Sequence, residues 1–98
     1  MIRSFDQAAA EDLFYGRDTK AARQLPKPLW PVIRRKLDAL HRACTLQDLR
    51  LPAGNRLEAL KDDLAGRFSL RVNDQYRITF QWEQKGPYAD DVTCADYH

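Results

Sequence analysis

The sequence predicts an α+β fold, an N-terminal strand and two helices packed on an antiparallel sheet. Three observations carry this reading. Leu29, Ile33, Leu37, Leu40 and Cys44 recur at helical spacing and form one apolar stripe. Later, Arg67–Val72 and Tyr76–Glu83 alternate apolar and polar residues as half-buried strands do. Turn residues separate the strand segments, so helices come first and an antiparallel meander follows.

The 98 residues fit a single domain, 1–98, with one modest core. With 44% hydrophobic and 31% charged residues, the chain is neither disordered, collagen-like nor low in complexity. No apolar run approaches the ~20 residues of a membrane span, and acids interrupt the opening MIRSFDQAAAEDLF where a signal peptide is apolar. Cys44 and Cys94 form no CxxC and read as small buried hydrophobes of a reducing compartment. The expectation is a cytoplasmic domain that does not engage membranes. Net charge is +2, too small to announce nucleic-acid binding by itself.

Met1–Phe5 reads as a short strand. Asp6 is the expected N-cap of a helix over 7–15, with Ala10, Leu13 and Phe14 on its apolar side and Gly16 as the stop. Residues 17–27 are polar and read as a loop. Pro28 and Pro31 suit the first turn of the second helix, where a missing N–H costs little. Arg34, Arg35, Lys36, Asp38 and Arg42 fall largely off the stripe, as a solvated face or a phosphate or partner surface. Leu51–Asn55 is a loop. Residues 56–66 stay open: propensity and an Asn55/Glu58 imitation of a capping box favour a helix. The strands that follow favour instead a strand over Leu57–Lys61 and a turn after it. Val92–Tyr97 is the final strand.

The hairpin register follows from keeping both apolar faces together. A three-residue loop, Asn73-Asp74-Gln75, pairs Val72 with Tyr76, Leu70 with Ile78 and Phe68 with Phe80. On the other face it sets Arg71 across from Arg77, beside Ser69, Thr79, Arg67 and Gln81. Two opposed arginines repel unless they splay, meet an acid or hold an anion, and guanidinium forks suit phosphate. The chain ends in Asp96-Tyr97-His98, a carboxylate, a phenol and an imidazole in three residues.

Arg71-Val72-Asn73-Asp74-Gln75-Tyr76-Arg77, the preceding Asn55-Arg56-Leu57-Glu58-Ala59-Leu60 and the terminal Asp96-Tyr97-His98 together resemble HigB-type toxins of the RelE superfamily. The resemblance covers nearly the whole chain. It implies a RelE-like fold in which Leu57–Lys61 is a strand and residues 62–66 a turn. It implies ribosome-dependent cleavage of messenger RNA, silenced by a helix-turn-helix antitoxin of HigA type, with operator DNA contacted only through that antitoxin. The family's phosphate-binding positions match Lys61, Arg71 and Arg77, with Arg67 beside them, and its terminal cluster matches Asp96, Tyr97 and His98. Glu58 stands where one branch of these toxins has histidine.

Metal-free RNA cleavage needs a base for the ribose 2′-OH, cations for the charge on phosphorus and an acid for the leaving 5′-oxygen. The candidates for these roles are Glu58 as base and His98 as acid, or the two exchanged, with Arg71, Arg77 and Lys61 as the clamp and Asp96 and Tyr97 orienting. No cofactor is expected. A metal site from Asp90, Asp91 and Asp96 is a rival chemistry. A non-catalytic ribosome- or RNA-binding module and a partner-docking domain are rival functions.

Overall fold

A computed structural model describes residues 1–61 and 66–96. Two helices, α1 (Ala8–Phe14) and α2 (Trp30–Arg42), precede four strands: β1 (Glu58–Ala59), β2 (Arg67–Arg71), β3 (Tyr76–Glu83) and β4 (Tyr88–Asp96). The strands pair in chain order as one antiparallel meander, β1-β2-β3-β4, and the helices cover one face.

The α2 stripe is core. Ile33, Leu37 and Leu40 are fully buried, together with Leu13 of α1 and Leu70, Ile78, Phe80, Val92 and Cys94 of the sheet. Each such large side chain contributes about 1.5–3 kcal/mol on leaving water. The stripe ends one residue earlier than its spacing suggests. The helix stops at Arg42 and Ala43 turns to extended backbone, so Ala43 is buried and Cys44 is exposed. Of the two cysteines, only Cys94 acts as a buried hydrophobe, and desolvation pushes its thiol up to about 12.

Asp6 does not cap α1. Gln7 holds the N-cap position with no side-chain bond to the helix, because its Oε1 accepts from the Cys94 N–H at 2.8 Å. Asp6 instead gives its backbone N–H to the Val92 carbonyl. Gly16 ends α1 as expected, at φ 73°, a conformation that costs a glycine little. Residues 17–27 contain a 3-10 turn, Ala22–Gln24, within the expected loop.

The opening segment runs parallel to β4 but forms two isolated bridges, Ile2 with Ala89 and Phe5 with Val92, rather than a strand. A β-bulge separates them. Thr79 pairs with Thr93 but Gln81 with Asp90, so β4 carries an extra residue there, and Asp91 takes φ 53°. The bulge lets Ala89 and Val92, three positions apart, both face the core. It also gives the Asp91 N–H to the Ser4 hydroxyl at 2.9 Å, which interrupts the outer ladder.

β4 therefore starts upstream of Val92, at Tyr88, where Glu83 opposite Tyr88 closes the turn. Its two early acids do not break it, since Asp90 binds Arg3 and Asp91 occupies the bulge. Residues 56–61 are not helical. β1 is confined to Glu58–Ala59, entered through a left-handed Arg56 at φ 44°, and one further bond runs from the Leu60 N–H to the Arg67 carbonyl. The rest of the expected turn, 62–65, and Tyr97 and His98 lie outside the described residues.

Candidate active site

β2 and β3 pair in the register set by their apolar faces, including Phe68 with Phe80, Leu70 with Ile78 and Arg71 with Arg77. The hairpin loop is held by Asn73, whose Oδ1 accepts the N–H groups of Gln75 and Tyr76 at 2.9 and 2.7 Å. With Leu70 and Ile78 buried under the helices, the intervening residues face away from them. There Glu58, Ser69, Thr79 and Thr93 line up across all four strands.

Arginines bracket this row. Arg77 donates to Ser69 Oγ at 2.8 Å and reaches Glu58 Oε1 at 3.5 Å. Its side chain is only 17% exposed while that of Glu58 is 55% exposed, so a fixed cation stands beside an accessible carboxylate. On the other side, Arg67 donates to Thr79 Oγ1 at 3.3 Å and to the Asp91 carbonyl at 2.8 Å. The bulge at Asp91 aims that carbonyl, so Arg67 clamps β4 to β2. Thr79 and Thr93 share a 2.6 Å hydroxyl–hydroxyl bond. Ser69 is completely buried beneath these side chains.

The opposed arginines avoid each other through separate acids. Arg71 pairs with Asp74 in the loop and Arg77 with Glu58. Lys61 is exposed just past β1 and forms no ion pair among the described residues. Asp96 lies across from Tyr76, whereas Ala95 lies across from Arg77. Its carboxylate therefore belongs to the Tyr76 row at the hairpin end, where it accepts from Gln75 Nε2 at 2.9 Å. Glu58 and Arg77 are thus brought together, with Arg71 beside Arg77 and Arg67 at the far side, while Asp96 stands in a different row. Asp90 and Asp91 are set apart from Asp96 along β4.

One cation of the off-stripe α2 surface is tied down near the site in a way the sequence did not show. Lys36, on α2, donates Nζ to Asn55 Oδ1 at 2.5 Å. Asn55 is buried, its amide tied to the carbonyls of Leu49 and Leu51 at 3.2 and 3.3 Å. Burial, then the charges of Arg35 and Arg71, hold the Lys36 ammonium below the usual lysine range. No local pattern reveals this contact, which depends on how residues 43–55 return the chain to α2.

Residues 3–98 match the family of HigB-like toxins, RelE-like toxins of type II toxin–antitoxin systems. The chain belongs to this family. It is 46% identical over 69 residues to Toxin HigB-1 of Vibrio cholerae serotype O1, covering 70% of this chain and 72% of that protein. Its fold is shared by the YoeB dimer from Staphylococcus aureus, at 24% identity and a TM-score of 0.58 over 99% of this chain and 94% of that one. A chain of the RelBE2 toxin–antitoxin complex from Mycobacterium tuberculosis matches at 16% identity and a TM-score of 0.54, over 99% of this chain and 96% of that one. HigB-like membership and the α+β fold both agree with the sequence expectation.

Proposed function

We propose that this HigB-like toxin is an endoribonuclease that cleaves messenger RNA on the ribosome by attack of the ribose 2′-OH. The observation that supports this best is the Glu58–Arg77 pair, an accessible carboxylate beside a cation anchored on Ser69. Glu58 takes the 2′-OH proton as O2′ bonds to phosphorus. Arg77, Arg71 and Lys61 balance the charge that builds on the phosphate oxygens. The bond from phosphorus to O5′ then breaks, and His98 supplies the proton to O5′. The products are a 2′,3′-cyclic phosphate and a free 5′-hydroxyl. Arg67 holds the sheet under the clamp, and Asp96 and Tyr97 orient the terminal acid.

The reaction uses a base, cations and an acid from side chains, and no step is routed through a metal. The partner that silences the toxin is a helix-turn-helix antitoxin of HigA type, through which the pair reaches operator DNA. The fold relative solved as a toxin–antitoxin complex supports an antitoxin partner. The toxin acts in the cytoplasm.

Product ends test the chemistry. On programmed ribosomes, upstream fragments are expected to end in cyclic or 3′-phosphate and downstream fragments in 5′-hydroxyl. Upstream 3′-hydroxyls with downstream 5′-phosphates would overturn the mechanism and favour metal-assisted hydrolysis.

A further inference from the structure

The face of α2 turned away from the core carries Arg34, Arg35, Asp38 and Arg42, with Trp30 in its first turn and Lys27 just before it. These side chains line a groove of about 570 Å³. Its lining carries four cations to one carboxylate, and of the four only Lys27 reaches an acid, Asp18 at 3.5 Å. Elsewhere Arg3, Arg17, Arg23, Arg71 and Arg77 each reach a carboxylate, while Arg50, Arg56 and Arg67, scattered singly, do not among the described residues. Arg34, Arg35 and Arg42 reach none among the described residues, although Asp38 lies one helical turn from both Arg34 and Arg42. Three guanidiniums in one groove with no carboxylate partner point to an anion from outside.

Trp30 narrows the class of that anion. Its Nε1 donates to the Leu25 carbonyl at 2.9 Å, which fixes the polar edge inward and leaves the half-buried ring at the groove. Lys27 Nζ sits 5.4 Å from the ring centroid. A polyanion that also brings flat rings matches an aromatic surface among guanidinium forks better than an acidic peptide does. Arg35 and Arg42 are two turns apart, roughly 10 Å along the axis, a separation a flexible single strand can follow. Arg35 also lines the smaller cleft with Lys36 and Asn55, so the cationic surface continues toward Arg71.

We propose that the α2 groove docks single-stranded RNA, with Arg34, Arg35 and Arg42 on phosphates and Trp30 against a base, at a surface separate from the hairpin cleavage site. The choice of RNA rests on the ribonuclease reading, which it deepens. RNA held here would pass over Lys36 toward the hairpin arginines.

The test uses the full chain and a single-stranded 2′-O-methyl RNA of about 16 nucleotides, labelled at one end and unable to be cleaved. Binding of R35E/R42E, and of the milder R35Q/R42Q, is followed by fluorescence anisotropy across a salt series, with circular dichroism checking the fold. Both arginines are exposed, so the substitutions spare the core. The affinity of R35E/R42E is expected to fall at least tenfold. The slope of log affinity against log salt should fall by about 0.7 for each phosphate that is no longer neutralised. Unchanged affinity and slope in the folded variants would overturn the proposal. So would unchanged RNA binding with abolished antitoxin binding, which would make the groove a protein dock. Arg77→Ala, assayed in parallel on cleavable RNA, reads the other site. Groove-dependent binding in a protein whose Arg77→Ala variant still cleaves would support the groove and overturn the hairpin site.

Discussion

Arg71 and Arg77 stand opposite each other across the β2–β3 ladder, and each turns to a different carboxylate, Asp74 in the loop and Glu58 on the far strand. Opposed like charges on a sheet are unfavourable. Here the two acids draw the guanidiniums apart, and the buried Ser69 hydroxyl fixes one of them. The arrangement puts several positive charges on the sheet face away from the helices without placing one in the core.

Ser69 is a positioning residue for Arg77. Ser69→Ala removes the 2.8 Å acceptor and should lower stability by about 1 kcal/mol, as the loss of one hydrogen bond does. Single-turnover cleavage should drop about tenfold, within the range of a misplaced charge-stabilising group. Ser69→Thr, which keeps the hydroxyl and suits a strand, should restore most of the rate. Parent-like cleavage by Ser69→Ala would show that Arg77 needs no anchor.

Asp48 ties down the exit from α2. Its carboxylate accepts the N–H groups of Cys44 and Thr45 at 2.9 and 3.1 Å, bonds that hold its carboxyl below the usual carboxylate range. With a depressed folded pKa, the stabilisation is complete above the unfolded value, about 3.9, and is lost as pH falls through the folded one. Asp48→Asn should therefore unfold at lower urea than the parent at pH 7. The two midpoints should converge as the pH drops through the carboxylate range. A gap independent of pH would refute this.

The cysteines should separate by access. A thiol-specific reagent at neutral pH should label exposed Cys44 rapidly and buried Cys94 only through unfolding, since burial holds the Cys94 thiol near 12. One equivalent before denaturant and two after is the expected count. Two fast equivalents in the native protein would contradict the packing.

Much of this was legible in the sequence because alternation permits one register. Once Leu70 and Phe80 must both be buried, an odd loop is required and Arg71 has to oppose Arg77. The α2 core followed from spacing in the same way. What escaped depends on backbone detail that no periodicity encodes. The Asp91 bulge resets the β4 faces and breaks the N-terminal ladder, so an opening strand became two bridges and Asp6 lost its capping role to a bond with Val92. Cys44 left the stripe because the helix ends two residues before it. Lys36 joined the cationic surface only through Asn55, which the loop carries back to α2. Glu58 could be named from family likeness, but its pairing with Arg77 needs three strands in place.

His98 is testable by removal. Deleting it should reduce single-turnover cleavage at least about tenfold, the lower end of an acid–base contribution, with the urea midpoint nearly unchanged. An undiminished rate would place the acid elsewhere.

The central claim is that the Glu58–Arg77 face of the sheet is the cleavage site, and Arg77→Ala tests it most directly. Single-turnover cleavage of messenger RNA on programmed ribosomes is compared for the parent and Arg77→Ala at matched concentration, with circular dichroism confirming the fold. The expected rate for Arg77→Ala is at least about a hundredfold lower, the deficit that follows when one transition-state donor is removed. A folded Arg77→Ala protein that cleaves at the parent rate would contradict the claim.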